Sequence, residues 1–176
     1  ATLRMMSRLF RIACLWLLAT GAWAQGGTLA LGTQDNHNLA PYVTYLEDPE
    51  GQLGLDAILQ PAQQARFRPM RGSGPAANFG LTRSAVWLRV ELQAAAGQDP
   101  NWLLELAYPP LDHLELYSPA KQGGWQRQVG GDLQPFSSRP VAHRNHVLPV
   151  WLPAGQTTAL YLRLDALRGR IPSHVD

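Results

Sequence analysis

Residues 78–92 combine two sequence patterns, a turn-rich beginning and a strictly alternating end. Asn78 and Gly80 suit a turn, and from residue 86 onward every second position is aliphatic. The aliphatic positions are Val86, Leu88, Val90 and Leu92, and the positions between them are Trp87, Arg89 and Glu91. Because successive side chains of a strand point to opposite faces, this pattern predicts a loop that leads into a strand with one core face and one aromatic and charged face.

Several other short runs of strand-forming residues lie along the chain, without any long helical period. They cover residues 39–46, 102–108, 113–117, 125–129, 145–152 and 157–165, and turns such as 48–51 and 153–155 separate them. Residues 55–59 suit one helical turn that Pro61 ends, and residues 62–77 suit a long surface loop. This organisation predicts an all-β fold, a jelly-roll β-sandwich.

Three of the predicted strands divide their two faces in the same way. In residues 86–92, 113–117 and 159–165, leucine and valine dominate one face, and aromatic and charged residues dominate the other. Two interpretations of the second face stay open. It is either a solvated face with cross-strand ion pairs, or a concave platform where aromatic rings stack on a ligand and Arg or Glu side chains hydrogen-bond to it.

The N-terminal region has the pattern of a secretory signal peptide. Arg8 and Arg11 precede an apolar run over residues 12–19, and the small residues Ala22 and Ala24 follow it. This pattern predicts cleavage before Gln25, and the apolar run is too short to span a bilayer. We therefore expect export, a flexible lead-in over residues 25–37 and one domain over residues 38–176. The only cysteine, Cys14, lies in the leader, so the exported part has no disulfide to stabilise its core.

The charge of the chain gives no reason to expect a nucleic-acid partner. The formal net charge is +2, but three of the 15 basic residues lie in the leader, at Arg4, Arg8 and Arg11. The exported part is therefore close to neutral, which excludes the basic footprint typical of proteins that bind nucleic acid or anionic lipid through charge.

Sequence motifs for catalysis or cofactor binding are missing. The chain contains neither a G-x-S-x-G nucleophile elbow nor a glycine-rich phosphate loop. His143 and His146 lie three residues apart in a segment predicted to be extended, where they would point to opposite sides, and His113 lies far from them in the sequence. We expect no metal site, no cofactor and no enzymatic activity.

A series of motifs in a fixed order resembles one known family. Residues 45–51 (YLEDPEG), 67–69 (FRP), 78–82 (NFGLT) and 86–89 (VWLR) come first, followed by 104–112 (LELAYPPLD), 116–117 (LY), 131–132 (GD), 135–139 (PFSSR), Pro149 and 161–163 (YLR). Together they resemble the type 2 extracellular domain of bacterial seven-transmembrane receptors with diverse intracellular signalling modules (7TMR-DISM). The resemblance covers residues 38–167, which is nearly all of the predicted exported part.

The resemblance implies a periplasmic sensor domain, a jelly-roll sandwich similar to carbohydrate-binding modules. Family members continue into seven transmembrane helices and a cytoplasmic output module, commonly a histidine kinase or a diguanylate cyclase. Within this chain no transmembrane helix is expected, and residues 171–176 are a weak substitute for the last strand of the family. We therefore expect a receptor fragment whose only membrane contact would come from the missing helices, with an unpaired edge that favours homodimers.

The motif positions supply five candidate ligand-binding residues. Trp87 and Tyr117 are expected to stack on a small polar ligand, a sugar or a carboxylate. Arg89, Arg139 and Arg163 are expected to donate hydrogen bonds to its hydroxyl or carboxylate oxygens. Arg139 has a second interpretation, as a structural residue buried against a carboxylate.

Two rival functions remain at this stage. One is a secreted carbohydrate-binding module or an accessory domain of an exported enzyme, and the other is an interaction domain that dimerises without any small ligand.

Overall fold

The computed structural model describes residues 26–70, 84–107 and 111–165. Within these ranges the strands are β1 (Leu29–Leu31), β2 (Thr44–Asp48), β3 (Arg68–Pro69), β4 (Ala85–Ala94), β5 (Asn101–Leu106), β6 (His113–Pro119), β7 (Trp125–Gly130), β8 (His146–Trp151) and β9 (Thr157–Asp165). Two short helices, α1 (Leu55–Ile58) and α2 (Pro61–Gln64), lie between β2 and β3, and single 3₁₀ turns cover Ala40–Tyr42 and Phe136–Ser138. Among the described helices, none has the length and apolar character needed to cross a bilayer.

The strands form one large and one small sheet. The large sheet has the order β3-β2-β4-β9-β6-β7 with antiparallel neighbours, and β1 adds to β4 in parallel. The small sheet consists of β5 and β8, which pair antiparallel along their whole length. The predicted all-β class is confirmed, since strands account for most of the regular structure.

A leucine-rich core lies between the two sheets. The small sheet contributes Leu104, Leu148 and Val150. From the large sheet come Val86, Leu88, Val90, Leu92, Leu114, Leu116, Leu160, Leu162 and Leu164. The aliphatic faces predicted from the alternation are therefore confirmed, and the shared core makes the fold a β-sandwich. The jelly-roll order of connections stays a prediction.

The opposite face of the large sheet, which we call the outer face, carries a second and smaller core. Ile58 of α1 and Phe67 pack there against Leu46, Trp87 and Tyr161. The segment between β2 and β3 thus folds over part of the outer face. Burial of this kind is unusual for the polar side of a two-layer sandwich, and it decides which residues of the face stay accessible.

The turn after β2 fixes the entry to this covering segment. The backbone N–H of Gly51 donates to Asp48 Oδ1 over 3.0 Å, and the N–H of Leu53 donates to Asp48 Oδ2 over 2.8 Å. Gly51 has a φ of +66°, a conformation that glycine adopts without steric cost. The predicted turn at residues 48–51 is confirmed, and the buried Asp48 carboxylate closes it.

Most strand boundaries follow the sequence prediction, and β9 matches it at both ends. Residues 39–46 differ, because a 3₁₀ turn over Ala40–Tyr42 precedes β2 and delays the strand to Thr44. The loop predicted over residues 62–77 is wrong where α2 continues from Pro61 and where β3 pairs with β2. Proline suits the first turn of a helix because the N–H it lacks would have no partner there.

The structure adds one strand that was not predicted, and several predictions concern residues that it does not describe. Strand β1 lies inside the segment expected to be a lead-in, and the sequence pattern does not predict it. The predicted signal peptide at residues 1–24, the NFGLT motif at 78–82 and the C-terminal residues 171–176 lie outside the described residues.

Candidate functional site

The outer face brings together four of the five residues predicted to bind a ligand. Strand β4 carries Trp87 and Arg89, β6 carries Tyr117, and β9 carries Arg163. The strand register places Trp87 opposite Arg163, and it places both Arg89 and Tyr117 opposite Tyr161. Period-two alternation on three adjacent strands is therefore sufficient to collect these side chains on one surface.

Trp87 forms the centre of the second core. Its side chain has no exposed surface, and its indole stacks on the Tyr117 ring with the centroids 5.6 Å apart. Ile58, which is also fully buried, belongs to the same core. In this structure a ligand would reach the Trp87 ring only after the covering residues, among them Ile58 of α1, moved, so its predicted stacking role stays a prediction. The interpretation of this face as simply solvated is wrong at Trp87.

Strand β7, which pairs with β6, carries the most exposed side chains of the outer face. We call Glu115, Tyr117, Trp125 and Arg127 the open site. The Trp125 ring is 39% exposed and meets the Tyr161 ring edge-on at 5.5 Å, while the Arg127 side chain is 53% exposed. The open site therefore presents one accessible indole beside one accessible guanidinium.

A buried carboxylate holds the open site together. Glu115 accepts two hydrogen bonds from Arg127, from Nε over 3.2 Å and from Nη2 over 2.6 Å. The hydroxyl of Tyr117 donates to Glu115 Oε2, and His113 Nε2 lies 2.9 Å from Oε1. With both carboxylate oxygens engaged, the Glu115 carboxylate fixes the positions of the phenol and the guanidinium.

The electrostatics of the open site follow from this arrangement. Hydrogen bonds from Arg127 lower the pKa of Glu115 to about 2, against the opposing effect of burial. Burial and the hydrogen bond to Glu115 raise the pKa of Tyr117, and the Glu115 carboxylate raises the pKa of Arg127. The site therefore holds a fixed carboxylate, a neutral phenol and a permanent cation at neutral pH.

The two other arginines of the outer face have structural partners. Arg89 pairs with Glu91, whose Oε2 also accepts a hydrogen bond from Thr28 Oγ1 over 3.0 Å. Arg163 Nη2 donates to the carbonyl of Gly51 over 2.9 Å, and its Nε lies 3.3 Å from Asp165 Oδ2. Both side chains are largely buried, at 14% and 21% exposure. Their predicted contacts with a ligand stay predictions.

Two buried donors of β4 find no acceptor among the described residues, Trp87 Nε1 and Arg89 Nε. A buried N–H without an acceptor costs free energy, and such groups in native proteins call for an explanation. Both side chains lie on the outer face, and Trp87 packs against the covering segment. This part of the outer face therefore has two buried N–H donors without an acceptor among the described residues.

Arg139 lies apart from the outer face, in the loop between β7 and β8. Its Nη1 donates to the carbonyls of His143 and Arg144 over 2.8 and 3.2 Å, and its Nη2 donates to Asp132 Oδ1 over 3.2 Å. The geometry agrees with the structural interpretation of Arg139, a guanidinium held against a carboxylate. It does not bring Arg139 together with the other four candidates.

Three members of the open site are not among the residues predicted to bind a ligand, namely Glu115, Trp125 and Arg127. The signal was present in the short run over residues 125–129, where Trp125, Arg127 and Val129 alternate with glutamines. As in β4, β6 and β9, the aromatic and charged residues of this run lie on one face of the strand. Only the pairing of β7 with β6 shows that Arg127 lies beside Tyr117.

The histidines considered as metal ligands do not form a group. His143 is exposed and lies 3.9 Å from Glu105 Oε1, whereas His146 is buried and lies 3.9 Å from Asp132 Oδ1. Within the residues that the structure describes, no cluster of three or more metal-ligating side chains occurs.

Comparison with known proteins adds one finding to this geometry. A family model described as the 7TMR-DISM extracellular 2 domain matches residues 40–169. A search of curated proteins and a search of solved structures each return no match. The matched range includes every strand from β2 to β9, and thus both cores and the open site. The chain belongs to the 7TMR-DISM extracellular 2 family, whose members are extracellular domains of membrane receptors.

Proposed function

We propose that this domain senses a small polar ligand, a sugar or a carboxylate, for a bacterial membrane receptor, and that the ligand binds at the open site. The observation that carries the proposal is the accessible Trp125 ring beside the half-exposed Arg127 guanidinium. Family membership supports the receptor part of the proposal and a periplasmic location. A histidine kinase or diguanylate cyclase output module belongs to the proposal as well.

The chemistry of the open site suits a flat or acidic polar molecule. An exposed indole offers an apolar surface on which a sugar ring stacks, and a guanidinium binds carboxylate or vicinal hydroxyl oxygens in bidentate fashion. Glu115 occupies Nε and Nη2 of Arg127, which orients the plane of the guanidinium before a ligand arrives. A preoriented donor loses less conformational entropy on binding.

The effect of ligand binding at the open site can be transmitted to the rest of the receptor through β6 and β9. Glu115 and Tyr117 lie on β6, which pairs with β9, and the register sets Glu115 opposite Arg163. Arg163 in turn holds the carbonyl of Gly51 in the covering segment. A ligand that binds one arrangement of these contacts better than another would shift the balance between two states of the receptor.

A thermal-shift screen tests the proposal. The chain is heated with sugars, amino acids and dicarboxylates, and a ligand at about 100 times its Kd should add about 2.7 kcal/mol of stability. Titration calorimetry then gives the Kd of each hit for the parent chain, Trp125→Ala and Arg127→Ala. Both variants should bind at least about tenfold more weakly, because each removes a contact worth about 1.4 kcal/mol or more.

Arg144→Ala is the matched control, since Arg144 is an exposed arginine in the loop between β7 and β8, away from the outer face. Its variant should bind like the parent chain. An unchanged Kd in Trp125→Ala and Arg127→Ala, with circular dichroism like that of the parent, would contradict the open site. If every member of the panel fails to shift the transition and the chain dimerises with concentration, the ligand-free interaction domain replaces the sensor.

The sequence of the gene distinguishes the receptor from the alternative function, a secreted carbohydrate-binding module. Seven hydrophobic segments encoded downstream of residue 176 would support the receptor, and a catalytic domain would support the accessory module. Family membership favours the receptor.

A further inference from the structure

The loop between β7 and β8, residues 131–145, exposes two large apolar side chains. Leu133 is 59% exposed and Phe136 is 58% exposed, and both lie within the first half of this loop. Neither belongs to the core between the sheets or to the second core. Two large exposed apolar side chains within one loop are a feature that indicates a partner.

Internal contacts hold this loop in one shape. Arg139 bonds the carbonyls of His143 and Arg144 and the carboxylate of Asp132, and its guanidinium lies 4.9 Å from the centre of the Phe136 ring. At the base of the loop, the N–H of Asp132 donates to the carbonyl of Leu111 over 2.7 Å. The two apolar side chains are therefore presented on an ordered support, which lowers the entropy cost of binding.

The loop lies at the end of the sandwich where β9 ends. His113 pairs with Asp165, the last residue of β9, and the neighbouring Asp112 carbonyl accepts a hydrogen bond from the N–H of Leu133 over 3.4 Å. The strand that closes the described fold thus finishes beside the base of the loop.

The opposite end of the sandwich has a different surface. Its turns cover residues 95–100, 120–124 and 153–156, which are small or polar apart from prolines. Across the described residues, the large exposed apolar side chains are Leu103, Trp125, Val129, Leu133 and Phe136. Trp125 directly follows the 120–124 turn, but its ring packs against Tyr161 on the outer face. The two ends of the domain therefore differ, since the end where β9 finishes has two such side chains within one loop.

We propose that the 131–145 loop docks on the surface of the lipid bilayer that anchors the receptor, with Leu133 and Phe136 inserted at the level of the headgroups. The proposal rests on the receptor assignment under the proposed function, in which the membrane follows the last strand of the domain. Aromatic and leucine side chains are the usual residues of such interfacial contacts.

Insertion of apolar side chains, and not charge, drives this contact. Asp132 compensates the Arg139 cation, the exposed Arg144 is the one further arginine of the loop, and the exported part of the chain is close to neutral. Two side chains give only weak affinity, but a domain tethered to the same membrane has a high effective concentration at its surface. We therefore expect docking that depends on the tether and changes little with salt or with the fraction of anionic lipid.

Fluorescence quenching on tethered chains tests the proposal. The chain, purified from the periplasm of an expression host with a C-terminal histidine tag, is bound to phosphatidylcholine vesicles that contain nickel-chelating lipid. In Phe136→Trp the added indole should shift to shorter wavelength and lose about half or more of its emission when brominated phosphatidylcholine is present, because it lies within the bilayer boundary. The parent chain supplies the background of the native tryptophans.

Leu103→Trp is the matched control, since Leu103 is 63% exposed on β5, outside the loop. Its added indole should keep its emission. Equal quenching at positions 103 and 136, or none at position 136, overturns the proposal. A dimer that sedimentation detects in the parent chain and not in Leu133→Ser/Phe136→Ser would assign the two side chains to a second copy, and it would also overturn the proposal. The assay contains no small ligand, so failure of the ligand screen leaves its outcome unaffected.

Discussion

At the scale of single residues, the Glu115 carboxylate is stabilised in its charged form by hydrogen bonds from Arg127 and Tyr117. Hydrogen bonds from Arg127 hold the pKa of Glu115 at about 2, below the ordinary value of 4.5 that we take for the unfolded chain. A carboxyl whose pKa falls on folding contributes stability above its unfolded pKa, and that contribution disappears as the pH falls through the folded value. The open site is therefore expected to stabilise the fold near neutral pH and to lose this effect in acid.

Glu115→Gln tests this expectation, because glutamine keeps an acceptor oxygen while it removes the charge. At pH 7 the variant should unfold in urea with a free energy about 2 kcal/mol lower than the parent chain, less than the full pKa shift implies because solvent screens the half-exposed Arg127. The difference should narrow between pH 4.5 and pH 2. Glu47→Gln, which replaces an exposed glutamate of β2, should have nearly the same free energy of unfolding as the parent chain at both ends of this pH range. A difference between Glu115→Gln and the parent chain that widens in acid would contradict the role of Glu115.

The sequence predicts which face a side chain takes more readily than what covers it. Alternation correctly assigns Trp87 and Tyr117 to the face opposite the leucines, because strand geometry is local. The complete burial of Trp87 depends on Ile58, which lies 29 positions earlier and packs on it only after the chain folds back. Arg139 shows the same limit, since its carbonyl partners are set by the shape of a loop that no periodicity describes.

At the scale of elements, the segment between β2 and β3 depends on one buried anchor. Both α1 and α2 are single turns of helix, too short to be stable alone, so packing on the outer face must hold them. Ile58→Ala removes the fully buried side chain of α1, and it should lower the free energy of unfolding by about 2–4 kcal/mol in urea titrations. Leu103→Ala, on an exposed leucine, should cost less than about 0.5 kcal/mol. Equal costs would show that the helices contribute little to stability.

The turn before α1 offers a separate test of the same segment. Asp48→Ala removes the acceptor for the N–H groups of Gly51 and Leu53, and it should lower the midpoint of thermal unfolding with a loss of about 1–2 kcal/mol. Asp48→Asn keeps one acceptor oxygen and should lose less. Glu50→Ala, on an exposed residue of the same turn, should unfold like the parent chain. If Asp48→Ala unfolds at the same midpoint as the parent chain, the turn forms without the help of its carboxylate.

Element boundaries show where local signals are sufficient. The limits of β9 follow from alternation and from the Pro-Ala-Gly turn before it, in which the N–H of Gln156 donates to the carbonyl of Pro153 over 3.3 Å. The start of α2 at Pro61 was missed because a proline both ends one helix and suits the first position of the next. Strand β1 was missed because three residues carry too little pattern, and its parallel pairing with β4 is a long-range contact.

At the scale of the whole molecule, the division into one large and one small sheet is not encoded in any single stretch of sequence. It results from the pairing of β5 with β8, which lie about 40 residues apart, and from the insertion of β9 between β4 and β6. A two-stranded sheet is marginally stable by itself. The small sheet must therefore depend on the leucine core that it shares with the large one, and the two sheets should unfold together.

Hydrogen exchange of Leu148→Ala tests this dependence. Leu148 of β8 is 2% exposed in the shared core, so its truncation should speed exchange in both sheets by the same factor, roughly 100-fold for a loss near 3 kcal/mol. The N–H groups of Leu59 and Ala65, which bond within α1 and α2, should exchange at the parent rate, because opening of the covering segment leaves the leucine core intact. Faster exchange confined to β5 and β8 would show instead that the small sheet opens alone, and the sandwich would then have two cooperative units.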